Sequence, residues 1–385
     1  MRPAPGVGVG RTTVTTPHPP IGIAVVGAGY WGPNLVRNAQ ATPGLQLHYL
    51  CDIDENRARS VIGRYSTVAT TPSLDDVLAD PRVDAVAIAT PAATHFAVAS
   101  AALEAGKHVL VEKPLAPTYE EGRKLVETAD RMDRVLMLDH TYCYTSAVRY
   151  IRDSIANGEL GDLQYLDSVR INLGLVQPDV DVLYDLAPHD LSIFDAILPD
   201  DVVPVAISAH GSDPVGAGHA CVGHLTIKLS NGALAHVHVN WLSPTKIRTM
   251  IVGGSNRMIV WDDLNPTQRL SVHDRGVDTA DGGPESRART IVSYRTGDTV
   301  APALANTEAL RSVMLEFTDA INEKRPPLTD GRSGLRVLAM LEAAAHSLAK
   351  DGEFVPVAEM SHHRPARAGR PTTEPARRGP GEVTT

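Results

Sequence analysis

Aromatic side chains make up only 4% of this 385-residue chain, so it offers no stacking platform for single-stranded nucleic acid. A surplus of positive charge is also missing. The formal net charge is −9, with no basic stripe, which argues against a DNA or RNA partner. No apolar run reaches the roughly eighteen residues that a membrane-spanning helix needs. Cysteine is scarce: Cys51, Cys143 and Cys221 stand far apart and form no Cys-x-x-Cys pair. That predicts buried free thiols in a reducing cytoplasm, not a disulfide frame. The first residues are rich in Pro, Gly and Thr and lack the apolar core of a signal peptide.

A hydrophobic content of 43% supports large cores, and the length predicts two domains. The charge is unevenly spread. Residues 1–20 carry Arg2 and Arg11 and no acid, and residues 361–385 carry five arginines against two glutamates. Both tails read as disordered by composition and are set outside the fold. What remains is more acidic than the whole chain. This suits a soluble enzyme and gives no long-range attraction to an anionic substrate, which would need a local cluster of bases.

The most informative stretch is residues 21–32. Ile21 to Val26 is a short apolar, β-branched run, which predicts a buried parallel strand. It leads into Gly27-x-Gly29-x-x-Gly32, and then into an apolar-periodic stretch with Leu35, Val36 and Ala39. Strand, glycine turn and helix start are what a pyrophosphate needs. Gly27 permits the tight turn, Gly29 lets the backbone approach the phosphates, and Gly32 lets helix and strand pack closely. The helix N-terminus supplies free N–H groups and positive dipole. Leu45 to Cys51 predicts a second strand ending at Asp52, twenty residues after Gly32. A carboxylate there would hold the adenosine ribose diol, which favours NAD, with NADP left open.

Farther on, apolar strands and helices alternate to about residue 140. Val83 to Ala89 ends in Thr90-Pro91-Ala92-Ala93-Thr94-His95, and Lys107 to Val111 ends in Glu112-Lys113-Pro114. The alternation predicts a doubly wound parallel sheet over residues 21–140. From Leu163 the strands lengthen and alternate in polarity, and Asn231-Gly232 reads as a hairpin turn. Residues 141–355 therefore read as an α+β domain with an open, mostly antiparallel sheet. One helix is expected over Leu186–Ile197 and two closing helices over Thr307–Lys324 and Leu335–Ala349. Residues 275–305 read as a polar loop excursion.

The opening glycine turn, Thr90-Pro91…His95, Glu112-Lys113-Pro114 and Asp185-Leu-Ala-Pro-His189-Asp190 together resemble one family across about residues 21–355. It is the glucose–fructose oxidoreductase, inositol dehydrogenase and rhizopine-catabolism (Gfo/Idh/MocA) family of NAD(P)-dependent oxidoreductases. The resemblance implies a dinucleotide-binding domain, an open-faced sheet domain that frames the substrate and often makes oligomer contacts, and hydride transfer at a sugar or cyclitol carbon. A homodimer or homotetramer follows from it. It assigns Lys113 to the substrate hydroxyl and makes Asp185 and His189 catalytic. Tyr30 and Trp31 in the turn, with Thr90, His95 and Glu112 at later strand ends, complete the expected cofactor-binding set.

The chemistry also reads directly. Oxidising a secondary alcohol needs a base near neutral pKa and a positive group facing the developing alkoxide. Lys113 at a strand end suits the second task. Asp185 and His189, four apart at a helix start, can face one side, so that the carboxylate fixes the imidazole tautomer. Asp190 reads as a helix-start charge. His95 is either a nicotinamide-loop residue or a helix-start residue, and His140 follows a strand end near the cleft. His236 and His238 share a strand face without a third metal ligand, so no metal is expected. His140, Tyr142 and Tyr144 stand where many relatives have Asn and Arg. Arg170-Ile-Asn172 and Trp241-Leu-Ser-Pro-Thr-Lys246-Ile-Arg248 are closer to the sugar-nucleotide and amino-sugar branch. Lys246 and Arg248 face either a phosphate or solvent.

The expectation is an NAD(P)-dependent oxidoreductase acting on a secondary alcohol or ketone of a sugar, C3 of a nucleotide-linked or amino hexose first. The alternatives are a ketoreductase on an aminoglycoside-type intermediate and a non-catalytic NAD(P)-binding sensor.

Overall fold

The computed structural model describes residues 19–63, 66–178, 180–279 and 292–358. The tails expected to be disordered lie outside the described residues, apart from positions 19 and 20.

The first unit alternates strands and helices: β1 (Ile21–Val26), α1 (Gly32–Ala41), β2 (Leu45–Cys51), α2 (Glu55–Ile62), β3 (Ala69–Thr71), α3 (Leu74–Ala79), β4 (Ala85–Ile88), α4 (His95–Glu104), β5 (His108–Glu112), α5 (Tyr119–Met132) and β6 (Leu136–Asp139). All six strands are parallel and lie in the order β3-β2-β1-β4-β5-β6. The order reverses direction between β1 and β4, which opens a crevice at their carboxyl ends. Every residue of β1 and β4 is buried, as expected for strands covered by helices on both faces. Side-chain caps set the helix starts: Asp54, Ser73 and Thr118 accept backbone N–H bonds at α2, α3 and α5. Strand β3 has no signal in the sequence, because three residues are too few to show a period.

The second unit contains α6 (Ser146–Ala156), β7 (Leu163–Leu173), α7 (Val182–Ile197), β8 (Pro204–Ser212), β9 (Val222–Leu229), β10 (Leu234–Asn240), β11 (Leu242–Gly254), β12 (Met258–Asp262), β13 (Leu270–Thr279), β14 (Val292–Val300), α8 (Ala309–Glu323), α9 (Gly331–Ala349) and β15 (Val355–Pro356). Its sheet runs β14-β13-β12-β11-β7-β10-β9-β8-β15 among the described residues. Only the β7–β10 pair is parallel. Asn231-Gly232 lies in the β9–β10 turn, with Gly232 at φ 87°. Helices α7 and α9 pack on each other and on one face of the sheet. The loop expected at 275–305 is in part a hairpin: β13 and β14 pair antiparallel, with residues 280–291 outside the described ones. An edge hairpin needs no apolar face to close its ladder, so its polar composition conceals it.

Candidate active site

A cavity of about 1200 Å3 lies at the carboxyl ends of β1, β4 and β5 and is bordered on the other side by residues of α7 and β11. Of the residues singled out by sequence, Gly27, Gly29, Tyr30, Trp31, Asp52, Thr90, His95, Glu112, Lys113, Asp185 and His189 all border it. Gly32 sits behind the turn.

The cofactor end is built from the glycine turn. Gly27 has φ 102°, and a Cβ there would lie 2.6 Å from the Ala89 carbonyl group, so only glycine fits. A Cβ on Gly32 would lie 2.1 Å from the Gly27 oxygen, which explains the close start of α1. A Cβ on Gly29 meets nothing within 4 Å, since this position opens onto the cavity. The buried Asp52 carboxylate accepts the Ala28 N–H at 2.6 Å and the Asp54 N–H at 2.8 Å. It therefore holds the turn in shape and keeps lone pairs for a ribose diol. Arg57, one turn into α2, stands 3.9 Å from Asp52 and also borders the cavity. Sequence reading passed over it. Its signal is a cation placed just after the Asp52/Asp54 pair. Tyr30 is almost fully exposed, and the Trp31 indole N–H donates to the buried Asp139 at 2.9 Å. The residues present fit a dinucleotide.

At the reaction end, the Lys113 ammonium donates to the Asp185 carbonyl oxygen at 2.7 Å and to its carboxylate at 3.1 Å. His95 anchors the loop beneath. Its Nδ1 lies 2.7 Å from the Pro114 oxygen and its Nε2 2.9 Å from the Thr90 oxygen, and the ring is fully buried. Burial pushes its pKa down, against the two carbonyl contacts that favour the charged ring, and the ring ties the β4 and β5 loops together. Glu112 accepts the Lys113 backbone N–H. Burial, with the Asp139 charge on the neighbouring strand, pushes its carboxyl up to about 8.

His189 and Asp185 both lie on α7, whose N-cap is Asp181. The expected Asp185–His189 bond is absent. Asp185 spends one oxygen on Lys113 and the other on the Trp241 indole N–H at 3.1 Å. The buried Nδ1 of His189 has no partner among the described residues. Burial, followed by the positive charges of Lys113 and Arg170, holds the ring's pKa well below its usual value. The Tyr142 and His189 rings meet in a T-shaped contact at 5.1 Å between centroids. Asp190 is no helix-start charge: it is buried and bidentate with Arg170 of β7 at 2.8 and 3.0 Å, and it also accepts from Ser168. His140 is fully buried and does not border the cavity. Of the pair on β11, Arg248 borders the cavity beside Asp263 at 3.6 Å, whereas Lys246 is exposed and away from it. His236 bonds Asp167, and His238 stacks on His224. Among the described residues, no three His, Cys, Asp or Glu side chains converge as a metal site.

Residues 21–140 match the model of an oxidoreductase family with an NAD-binding Rossmann fold, and residues 152–357 match the C-terminal alpha/beta domain of the same family. The chain belongs to the Gfo/Idh/MocA oxidoreductase family. Its first domain is accordingly an NAD-binding Rossmann domain. Among its relatives, the UDP-N-acetylglucosamine 3-dehydrogenase of Acidithiobacillus ferrooxidans is 32% identical over 318 residues, 82% of this chain and 93% of that protein. The solved structure of that enzyme superposes with a TM-score of 0.73 over 86% of this chain and 98% of the other, at 30% identity. GenD2 from gentamicin A biosynthesis, solved in complex with NAD, has a TM-score of 0.74 at 25% identity and covers 90% of this chain and 98% of its own. Among the described residues, no helix of this Gfo/Idh/MocA member is long and apolar enough to cross a membrane.

Proposed function

We propose that this oxidoreductase moves a hydride between NAD and a secondary alcohol or ketone of a sugar, with C3 of a nucleotide-linked or amino hexose as the first candidate. The observation that carries the reading is the meeting of Lys113, Asp185 and His189 in the cavity that also receives the glycine turn and Asp52. Bound NAD supplies the hydride-accepting carbon. The protein must then supply charge and a proton acceptor.

An ammonium has three protons, and Lys113 commits two of them to Asp185. The third is left for a substrate oxygen, where the positive charge stabilises a developing alkoxide. His189, held neutral by its surroundings, can take the hydroxyl proton, and in the reductive direction Lys113 or His189 returns it. Asp185 fixes the ammonium, and Trp241 fixes Asp185. Gly27, Gly29, Gly32 and Asp52 would hold the pyrophosphate and ribose, with Tyr30, Trp31, Thr90, His95 and Glu112 around the rest of the cofactor.

The substrate branch rests on similarity to a relative named for UDP-N-acetylglucosamine and on Arg248, a cation at the sugar end. The three free, buried thiols suit a reducing cytoplasm. The open face of the second sheet, with half-buried Tyr165, Val169 and Ile251, is the place for a homodimer or homotetramer contact. A ketoreductase uses the same groups in reverse. A non-catalytic sensor has no use for a lysine and a histidine bordering the same cavity.

The test is turnover by Lys113→Ala and His189→Ala with NAD binding measured in parallel. The reading requires that both lose activity while NAD still binds. Full turnover in both variants contradicts it.

A further inference from the structure

His189 Nδ1 is one of five buried ring nitrogens without a hydrogen-bond partner among the described residues. The others are Nδ1 and Nε2 of His140, Nε2 of His219 and Nε1 of Trp261. An imidazole holds one N–H and one lone pair when neutral, so His140 has both a donor and an acceptor uncommitted in the interior. Buried polar atoms left in this state are costly, and native interiors pair them directly or through an internal water.

Most nearby side chains are already committed, and the unpartnered Trp261 indole, 6.3 Å from Tyr142 between centroids, can only donate, which would give His189 the opposite tautomer. Asp185 is committed to Lys113 and Trp241. The Ser192 hydroxyl donates to the backbone oxygen of His189, one turn back on α7, and the Cys143 thiol donates to the backbone oxygen of Ser192. Tyr142 makes only a T-shaped ring contact with His189. His140 follows β6 directly and heads the 141–144 turn, which packs against α7, and the charges of Lys113 and Asp195 act on its ring in opposite senses. Asp195 is held by Arg336 at 2.6 and 2.8 Å.

We propose that His140 is the positioning residue of His189. The two rings share a buried link through one internal water, which accepts from His189 Nδ1–H and donates to a His140 nitrogen. The link fixes the tautomer that turns the Nε2 lone pair of His189 towards the cavity. His140 thereby takes the role that sequence spacing gives to Asp185. It touches neither substrate nor cofactor, since it does not border the cavity. The link rests on the catalytic reading of His189 for its effect on rate, but not for its existence.

The experiment has two parts. The first is a long-range 1H–15N spectrum of the histidine rings of the whole enzyme, with His189 assigned by its loss in His189→Gln. Wild type is expected to show the Nδ1–H tautomer at His189, and His140→Phe, of similar size but without ring nitrogens, to lose it. An Nε2–H tautomer in wild type overturns the proposal without any further variant. The second part is kinetics. In His140→Phe, kcat should fall roughly 10- to 100-fold. KM and NAD affinity should stay within about twofold, and His140→Gln should recover part of the loss. The acid limb of the pH–rate profile should also move, against a background set by Lys113, Arg170, Arg248 and Asp195. Unchanged His189 signals with unchanged kcat in His140→Phe overturn the link. If wild type turns over no sugar at all, the functional proposal falls, while the ring spectra still decide the link.

Discussion

The Lys113 ammonium is bonded twice by Asp185, once by the backbone oxygen at 2.7 Å and once by the carboxylate at 3.1 Å. A strand end of the first sheet is thereby fastened to a helix of the second, across the cavity. Pro188, one turn along α7, cannot donate to the Tyr184 carbonyl and so removes a helical bond beside this contact. The double bond predicts a graded series. Asp185→Asn keeps the backbone bond and an acceptor oxygen but turns an amide N–H towards the indole N–H of Trp241. Its kcat should fall about tenfold, and that of Asp185→Ala roughly 100-fold or more. NAD affinity, measured by fluorescence titration, should be unchanged in both.

Gly29 and Gly32 are one motif in the sequence but different sites in space. A Cβ at position 29 meets open cavity, while one at 32 strikes the Gly27 oxygen. Gly29→Ala should melt like wild type yet bind NAD at least about tenfold more weakly, because the methyl occupies the approach of the pyrophosphate. Gly32→Ala should lower the melting temperature as well. Calorimetry with and without NAD separates the two.

Asp52 bears on cofactor choice because Arg57 stands beside it at 3.9 Å. In Asp52→Ser the repulsion against a 2′-phosphate is gone and the arginine is free to meet it. The ratio of kcat/KM for NADP over NAD should rise by about tenfold or more. The cost is a weaker turn, since the Ala28 and Asp54 N–H groups lose their carboxylate.

Glu112 gives a pH signature. With its pKa pushed up to about 8, it is mostly protonated at pH 7 and ionises around pH 8. Glu112→Gln mimics the neutral form. Its rate at pH 7 should lie within about threefold of wild type, and the rate change of wild type near pH 8 should vanish. Stability follows the same sign. Between the usual carboxylate range and pH 8 the folded state holds a proton that the unfolded chain has lost, so wild type loses stability as pH rises through that window. Melting curves of Glu112→Gln should lack that fall.

Local features were legible in the sequence. The strand–turn–helix at 21–41 and the strand-end residues of β2, β4 and β5 all border one cavity because chain order and parallel pairing carry them there. Long-range competition was not legible. The spacing of Asp185 and His189 says that they share a helix side, but it cannot say that Lys113 and Trp241 will reach Asp185 first. Asp190 looks like a helix-start acid until Arg170 of β7 comes to lie against it. That buried pair predicts a cost of roughly 3–5 kcal/mol for Asp190→Ala in chemical denaturation, because it would strand a buried guanidinium. Strand β3 and the β13–β14 hairpin escaped notice because one is too short and the other too polar to show a period.

The most direct test of the central claim is nicotinamide absorbance on mixing the purified protein with NAD and, one at a time, nucleotide-linked hexoses, free amino sugars and cyclitols. The matching keto-sugars would be run against NADH. The account predicts reduction of NAD by a nucleotide-linked or amino hexose, or oxidation of NADH by the corresponding ketone, and loss of that signal in Lys113→Ala. Silence in both directions from a protein that binds NAD would contradict it.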